Sequence, residues 1–425
     1  MKDFKFNLDY VREQFPCLSK TVNGYPAAFL DGPGGTQTPK SVVDKINEYL
    51  FYHNANAHGA FVTSKESDAI FKQARVAVAD FLNCDPIEIS FGSNSSTNNF
   101  ILAFSLLRSL KPGDEIIITE LDHEGNRSPW RTLEDFGIVT KCVKVNPETY
   151  TLDLDDYKSK LSDKTKLVAV NWASNATGTI TDVKTFIKLA HEAGALTVVD
   201  AVHYALHKTI DVRDIDTDFL VCSAYKFFGP HIGVLYVKAE VGRKMNTVRV
   251  MADDNTEIPD KFEIGTLAME HAAGAEAAVN FIADMGRVHE QYFEDELEGL
   301  TGRRRLVVAG IKSIEAYEEP LAQKLRKELS AIEGVKVYSA PDGVPKTSTV
   351  SFTVKGVNSN EVAKYLGERG IFVWDGDFYA IHIVNNVLKL GDQGGLVRIG
   401  LAPYNTPEEI NRTIQAVKDF CSSKK

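Results

Sequence analysis

The stretch Ser223-Ala224-Tyr225-Lys226-Phe227-Phe228-Gly229-Pro230 decides the fold when it is read with Val198-Val199-Asp200-Ala201-Val202-His203 just upstream. Leu196-Thr197-Val198-Val199 is a short apolar run of strand type, and it ends on Asp200. Phe219-Leu220-Val221-Cys222 is a second such run, and it ends on Ser-Ala-Tyr-Lys. Two buried parallel strands of this kind deliver one carboxylate and one amine to the same edge of a sheet, where open α/β sheets bind ligands.

One cofactor uses this pair of groups. Pyridoxal phosphate is held as a Schiff base on a lysine amine, and a carboxylate beside its ring nitrogen keeps that nitrogen protonated, so the ring can take up electrons from a substrate. The alternative is a plain salt bridge between Asp200 and Lys226.

Working outward, Glu88-Ile89-Ser90-Phe91 is a short strand, followed by Gly92-Ser93-Asn94-Ser95-Ser96-Thr97-Asn98-Asn99 and an apolar helix from Phe100 through Leu110. The polar run is a helix cap at minimum. Free N–H groups, the positive dipole end and several hydroxyls together also suit a phosphate. Asp114–Thr119 is a strand that ends at Leu121-Asp122-His123-Glu124-Gly125-Asn126. His123 is either a solvated loop residue or a ring that stacks on a planar cofactor. Further strands are expected over 138–145, 166–172 and 232–237, with helices over about 64–82 and 182–193. Strand and helix alternate, which is the pattern of an α/β domain with a largely parallel sheet. The loop Asp31-Gly32-Pro33-Gly34-Gly35-Thr36 lacks the Gly-Lys-Ser/Thr of a Walker loop. A tight turn and a substrate-lining loop fit it equally. His53 and His58 lack the i, i+4 spacing of a helical metal pair, so no metal is expected.

A chain of 425 residues is long enough for two domains. The expected division is a large α/β domain over 21–299 and a small α+β domain made of 1–20 and 300–425. The small one is expected to hold strands near 305–308, 347–354, 371–374 and 396–401, and helices over about 320–332, 359–369 and 406–420. Residues 252–263 have the composition of a mobile loop. The net charge of −10 argues against nucleic acid or anionic membranes as the main partner. Five scattered cysteines fit reduced thiols in a cytoplasmic protein. The N-terminus has no signal-peptide pattern, and no stretch is apolar enough to span a bilayer.

From about Leu30 to Asn405 these ordered motifs resemble the class V aminotransferase family, a branch of the fold-type I pyridoxal-phosphate enzymes. The likeness is strongest to its cysteine desulfurase and selenocysteine lyase branch. The resemblance implies a mostly parallel, seven-stranded-type sheet in the large domain. It implies that Lys226 carries the cofactor, Asp200 partners the ring nitrogen and His123 stacks on the ring. His203 stands where the family often has a Gln that bonds the ring hydroxyl. Ser95, Ser96 and Ser223 match the phosphate cup, and Tyr225 replaces the His usual before the lysine. Asn175 and Arg398 match the clamp on the substrate carboxylate. Gly265-Thr266 matches the segment that reaches the neighbouring subunit's phosphate, which implies a homodimer with shared sites.

The family's desulfurases carry a cysteine in a loop that corresponds to Trp374-Asp375-Gly376-Asp377-Phe378-Tyr379-Ala380, and here Tyr379 stands in its place. A phenol cannot accept sulfur as a persulfide, which needs a thiolate. The expected activity is therefore cleavage of a C–S or C–Se bond in a small L-amino acid by a β-lyase route, giving sulfide, pyruvate and ammonia. Transamination or epimerisation of a small amino acid, with Tyr379 as an acid or base or as pocket lining, is the alternative enzyme reading. A non-catalytic pyridoxal-phosphate-binding protein with a regulatory role is the alternative outside enzymes.

Overall fold

The computed structural model describes residues 4–250 and 257–424. Its centre is a seven-stranded sheet of β1 (Ile89–Gly92), β2 (Glu115–Thr119), β3 (Val139–Val143), β4 (Thr165–Asn171), β5 (Leu196–Asp200), β6 (Phe219–Ser223) and β7 (Gly233–Val237). The spatial order is β1-β7-β6-β5-β4-β2-β3. Only β7 runs against the others, being antiparallel to both β1 and β6.

The strands are apolar on both faces because helices cover both. Side chains alternate between the two layers along each strand, as the pleat requires. Ile117, Val168, Val170 and Val199 enter one core with the helices Val62–Leu82, Val183–Glu192 and Met269–His289. Ile116, Ile118, Leu167, Ala169 and Val198 enter the other, against Leu102, Ala103 and Leu106 of the helix Ser95–Leu107.

A four-stranded antiparallel sheet follows, in the order Val335–Tyr338, Thr349–Val354, Leu396–Gly400, Trp374–Gly376. Val350, Phe352, Val397 and Ile399 share a third core with the helices Ser359–Gly367 and Pro407–Ser423. Arg398 alternates with Val397 and Ile399, so it leaves this core on the opposite face.

Two expectations are corrected here. The strand expected near 305–308 and the helix expected to start near 320 form one helix, Gly302–Ser330, which runs through Pro320. Val307, Ile311 and Ile314 recur at helical spacing and bury on the large core, so the apolar run follows a period of 3.6 and not 2. Gly286 and Gly310 bring this helix against Met269–His289. A Cβ at Gly310 would clash with Ile282 O, and one at Gly286 would clash with Leu306 O.

The long helix enters both cores. Val307, Ile311 and Ile314 belong to the large core, while Ala322, Leu325 and Leu329 of the same helix belong to the small one. At the N-terminus, Val11 and Phe15 bury in the large core, whereas Ala28 and Leu30 join the small one through parallel pairing of Ala28–Phe29 with Ile371–Phe372. The loop expected over 252–263 lies partly outside the described residues, and its described part contains the short helix Ile258–Phe262. Among the described residues no helix is long and apolar enough to cross a membrane. No group of three or more His, Cys, Asp or Glu side chains among them is placed to hold a metal ion.

Candidate active site

The carboxyl ends of the parallel strands converge on one cavity of about 750 Å³. Asp200 is the last residue of β5 and pairs in register with Asn171, the last residue of β4. Lys226 lies three residues beyond β6 in a single helical turn, Ala224–Lys226. His123 follows β2, and β1 leads into the helix Ser95–Leu107. All of these line the cavity or start at its edge, together with Ser96, Asn175, His203, Tyr225, Tyr379 and Arg398.

Asp200 and Lys226 do not form the plain salt bridge that was the alternative. Lys226 Nζ donates instead to Pro33 O, and it sits 4.8 Å from the centre of the Tyr225 ring. Asp200 Oδ1 accepts from Val202 N at 2.9 Å. Burial lowers the Lys226 amine to about 7, and the charge on Arg398 adds to that lowering while Asp200 opposes it. Burial also raises the Asp200 carboxyl to about 6. Desolvation penalises the charged form of each group, so both are drawn toward neutrality.

Two histidines are held neutral in defined orientations. His123 Nδ1 accepts from Gly125 N at 2.8 Å, so the proton of the neutral ring is on Nε2. Burial, and then the charges on Lys226 and Arg398, lower His123 to about 4. His203 is buried, and its Nε2 is shared between Thr349 Oγ1 at 2.9 Å and Thr347 Oγ1 at 3.2 Å. Burial and then His207 push its pKa far down.

Arg398 brings the second sheet into the site. It is 3% exposed, donates from Nη1 to Asn175 O at 2.9 Å and lies 4.0 Å over the Phe378 ring. Its Nε is buried without a hydrogen-bond partner among the described residues. Burial lowers it to about 9, with Asp31 opposing. A buried guanidinium with an unused donor is an open position for an anion.

The helix Ser95–Leu107 presents its N-terminus to the cavity. Asn94 Oδ1 caps it by accepting from Thr97 N at 2.8 Å. Ser223 does not line the cavity. Its Oγ accepts from Ser95 N at 3.3 Å, so it supports the helix terminus from behind. Tyr225 stacks on His231, with ring centres 4.7 Å apart. Asn175 lines the cavity, but its Nδ2 is engaged with Phe378 O at 2.9 Å. Gly265 and Thr266 are exposed and lie outside the cavity.

Sequence reasoning did not single out Asn94, Asn171, Trp374, Asp377 or Phe378 as site residues, yet all line the cavity. Asn171 Nδ2 donates to Leu121 O, and its Oδ1 is buried without a partner among the described residues. The signal available for Asn171 was its place at a strand end beside Asp200. Pro33 and Gly34 settle the glycine loop as cavity lining. Among the described residues no cysteine lines the cavity. Cys222 is buried in β6, where burial raises its thiol far above the usual range.

The model of the class-V aminotransferase family matches residues 28–303 and 299–413. A probable cysteine desulfurase of Synechocystis is 33% identical over 424 residues, covering 96% of this chain and 94% of that one. An aminotransferase-like protein of Gibberella zeae is 32% identical over 435 residues, covering 98% of this chain and 99% of that one. The solved apo structure of a cysteine desulfurase from Thermococcus onnurineus superposes with a TM-score of 0.85 at 28% identity, covering 100% of both chains. The likeness spans both sheets and every strand end that feeds the cavity, and the chain therefore belongs to the class-V aminotransferase family.

Proposed function

We propose that this protein is a pyridoxal-phosphate enzyme that cleaves the C–S bond of a cysteine-like L-amino acid by β-elimination. The observation that carries this reading is the pair Lys226 and Asp200, delivered by adjacent parallel strands to one cavity that also holds the buried Arg398 with its unused donor.

The residues present fit the cofactor. The N-terminus of Ser95–Leu107 supplies the Ser96 N–H, the positive end of the helix dipole and the Ser95 and Ser96 hydroxyls for a phosphate. Asp200 would hold the ring nitrogen, Lys226 the aldehyde carbon, His123 one ring face and His203 the ring hydroxyl. When bound, the cofactor supplies an electron sink for the bonds at the substrate's α-carbon.

The chain's own groups do the rest. Arg398 holds the substrate carboxylate through its free donor edge and so fixes which α-bond faces Lys226. Lys226 Nζ, lowered by burial to about 7 and so available in its neutral form at ordinary pH, takes the α-proton as general base. Asp200 stabilises positive charge at the buried end of the site. The relatives named cysteine desulfurase share the fold, and the lack of a thiol among the described residues around this cavity favours direct elimination over sulfur transfer to the protein.

The test is to incubate the cofactor-loaded protein with L-cysteine and identify the three-carbon product. Pyruvate with sulfide and ammonia is expected. Alanine would replace elimination by desulfuration. A spectral change without any C–S cleavage would overturn the reading.

The same proposal includes a cytoplasmic homodimer in which Gly265-Thr266 serves the neighbouring site. Its support is an exposed face beside that segment. Phe51 and Tyr52 are exposed there, and the adjoining Tyr49 Oη contacts Met269 Sδ at 3.4 Å at the start of the following helix. Sedimentation equilibrium showing a monomer at micromolar concentration would remove the shared site.

A further inference from the structure

The turn Asp377-Phe378-Tyr379 holds two consecutive bulky residues in the left-handed region, each with φ near 57°. Such residues persist only where the surroundings hold them, and they collect at ligand clamps. Five hydrogen bonds hold this turn, one of them its own closure from Ala380 N to Asp377 O at 2.8 Å. Asn175 Nδ2 donates to Phe378 O at 2.9 Å, and Glu124 N donates to Tyr379 O at 2.7 Å. Tyr379 N and Asn385 Nδ2 both donate to the Asp377 carboxylate at 3.1 Å.

The conformation places the two rings. Phe378 lies against the Arg398 guanidinium, and Tyr379 sits 5.6 Å from the His123 ring with 68% of its surface in solvent. Trp374 is half exposed on the same wall, with its indole pressed against Gly34. Two large flat side chains thus line the outer part of the cavity beyond the groups that handle the α-carbon. The side chain of free cysteine ends one atom past its β-carbon and has no planar surface to stack on these rings.

Resting on the function proposed above, we infer that the substrate is an S-substituted L-cysteine, a thioether whose planar apolar substituent stacks on Trp374 and Tyr379. In the reaction the Cα–H bond breaks to Lys226 and the Cβ–S bond breaks with its electron pair leaving on sulfur. The Cα=Cβ bond forms, and the departing thiolate takes a proton. Water then hydrolyses the enamine product. The sum is thioether plus water giving thiol, pyruvate and ammonia, with no oxidant or reductant and no protein thiol.

The experiment compares L-cysteine, S-methyl-L-cysteine and S-benzyl-L-cysteine with the cofactor-loaded protein, measuring pyruvate and free thiol. The expected kcat/KM for the benzyl thioether is at least tenfold above that for the methyl one. Tyr379→Ala and Trp374→Ala should each lower this ratio about three- to tenfold, the scale of one aromatic contact. A binding readout accompanies it. 2-Amino-5-phenylpentanoate, with carbon in place of sulfur, cannot be cleaved, and calorimetry should find it at least tenfold tighter than norvaline. Equal binding of those two, or pyruvate from L-cysteine with no preference for the benzyl thioether, overturns the aromatic wall while leaving C–S cleavage standing. No C–S product from any of the three overturns the function itself, and the calorimetric comparison still decides the wall.

Discussion

His207 Nδ1 and Glu318 Oε2 meet at 2.9 Å inside the protein, and Ser348 Oγ donates to the same carboxylate oxygen at 2.8 Å. The three residues come from the loop after β5, the long helix and the residue that leads into the strand Thr349–Val354. They are buried, so truncating one leaves the others without water to replace it. Glu318→Ala should cost about 3 kcal/mol in urea unfolding at neutral pH, and Glu318→Gln about 1 kcal/mol. A loss below about 1 kcal/mol for the alanine variant would show that the cluster holds nothing together.

Capture of pyridoxal phosphate by the apoprotein should depend on pH through Lys226. Only the neutral amine attacks the aldehyde, and this amine is lowered to about 7. The capture rate should rise as pH climbs through 7 and level off above it. Arg398→Leu removes a nearby positive charge, so the inflection should move to higher pH. Asp200→Asn removes the carboxylate that favours the ammonium form, so the inflection should move lower. Stopped-flow absorbance of the captured cofactor gives both. An inflection near the ordinary lysine value in the unsubstituted protein would contradict the burial of this amine. Lys226→Ala should capture no cofactor covalently.

Alkylation of thiols should leave C–S cleavage within about twofold. Cys222 and Cys421 are buried, and burial raises the thiols of Cys17, Cys84 and Cys142, so few thiolates are available to react. Stoichiometric loss of activity with iodoacetamide, mapped to one cysteine, would place a thiol in the reaction after all.

Gly34→Ala should disturb the cavity mouth more than the fold. A Cβ there would clash with Trp374 Nε1 and lie 2.8 Å from its Cδ1. The indole is half exposed and can swing outward, so the stability loss should be about 1 kcal/mol, at the low end for overpacking. The readout is a red shift of tryptophan emission, with Trp374→Phe as the control that removes it. Unchanged emission would mean that the loop and not the indole gives way.

The sheet and its ends were legible because local sequence and fold agree there. β5 and β6 are apolar runs stopped by Asp200 and by the Ser223–Lys226 segment, and a buried parallel strand needs no longer-range information to be recognised. The long helix was not legible. Leu306-Val307-Val308 reads as a strand in a short window, and Pro320 reads as a boundary, yet contact with Met269–His289 overrides both. The inner half of the site was found by its chemistry, since Lys226, Asp200, His123 and Arg398 are residues that carry reactions. The outer half was only partly found. Tyr379 was singled out by what it replaces, while Trp374 and Phe378 look like ordinary core aromatics until the turn that displays them is seen.

The helix Gly302–Ser330 acts as a lever. Its first half is fixed in one core and its second half in the other, so a single shaft joins the two. Pro320 lacks the N–H that would bond back one turn, and it is the one point along the shaft where the backbone ladder is missing a rung. Ser330 lies about 15 Å beyond it at 1.5 Å per residue. A bend of about 5° at Pro320 would therefore displace the far end by about 1 Å. Pro320 stands between Ile314, in the large core, and Ala322, in the small one, so a bend there would be a bend between the core that holds Asp200's strand and the core in which Val397 and Ile399 anchor the strand of Arg398.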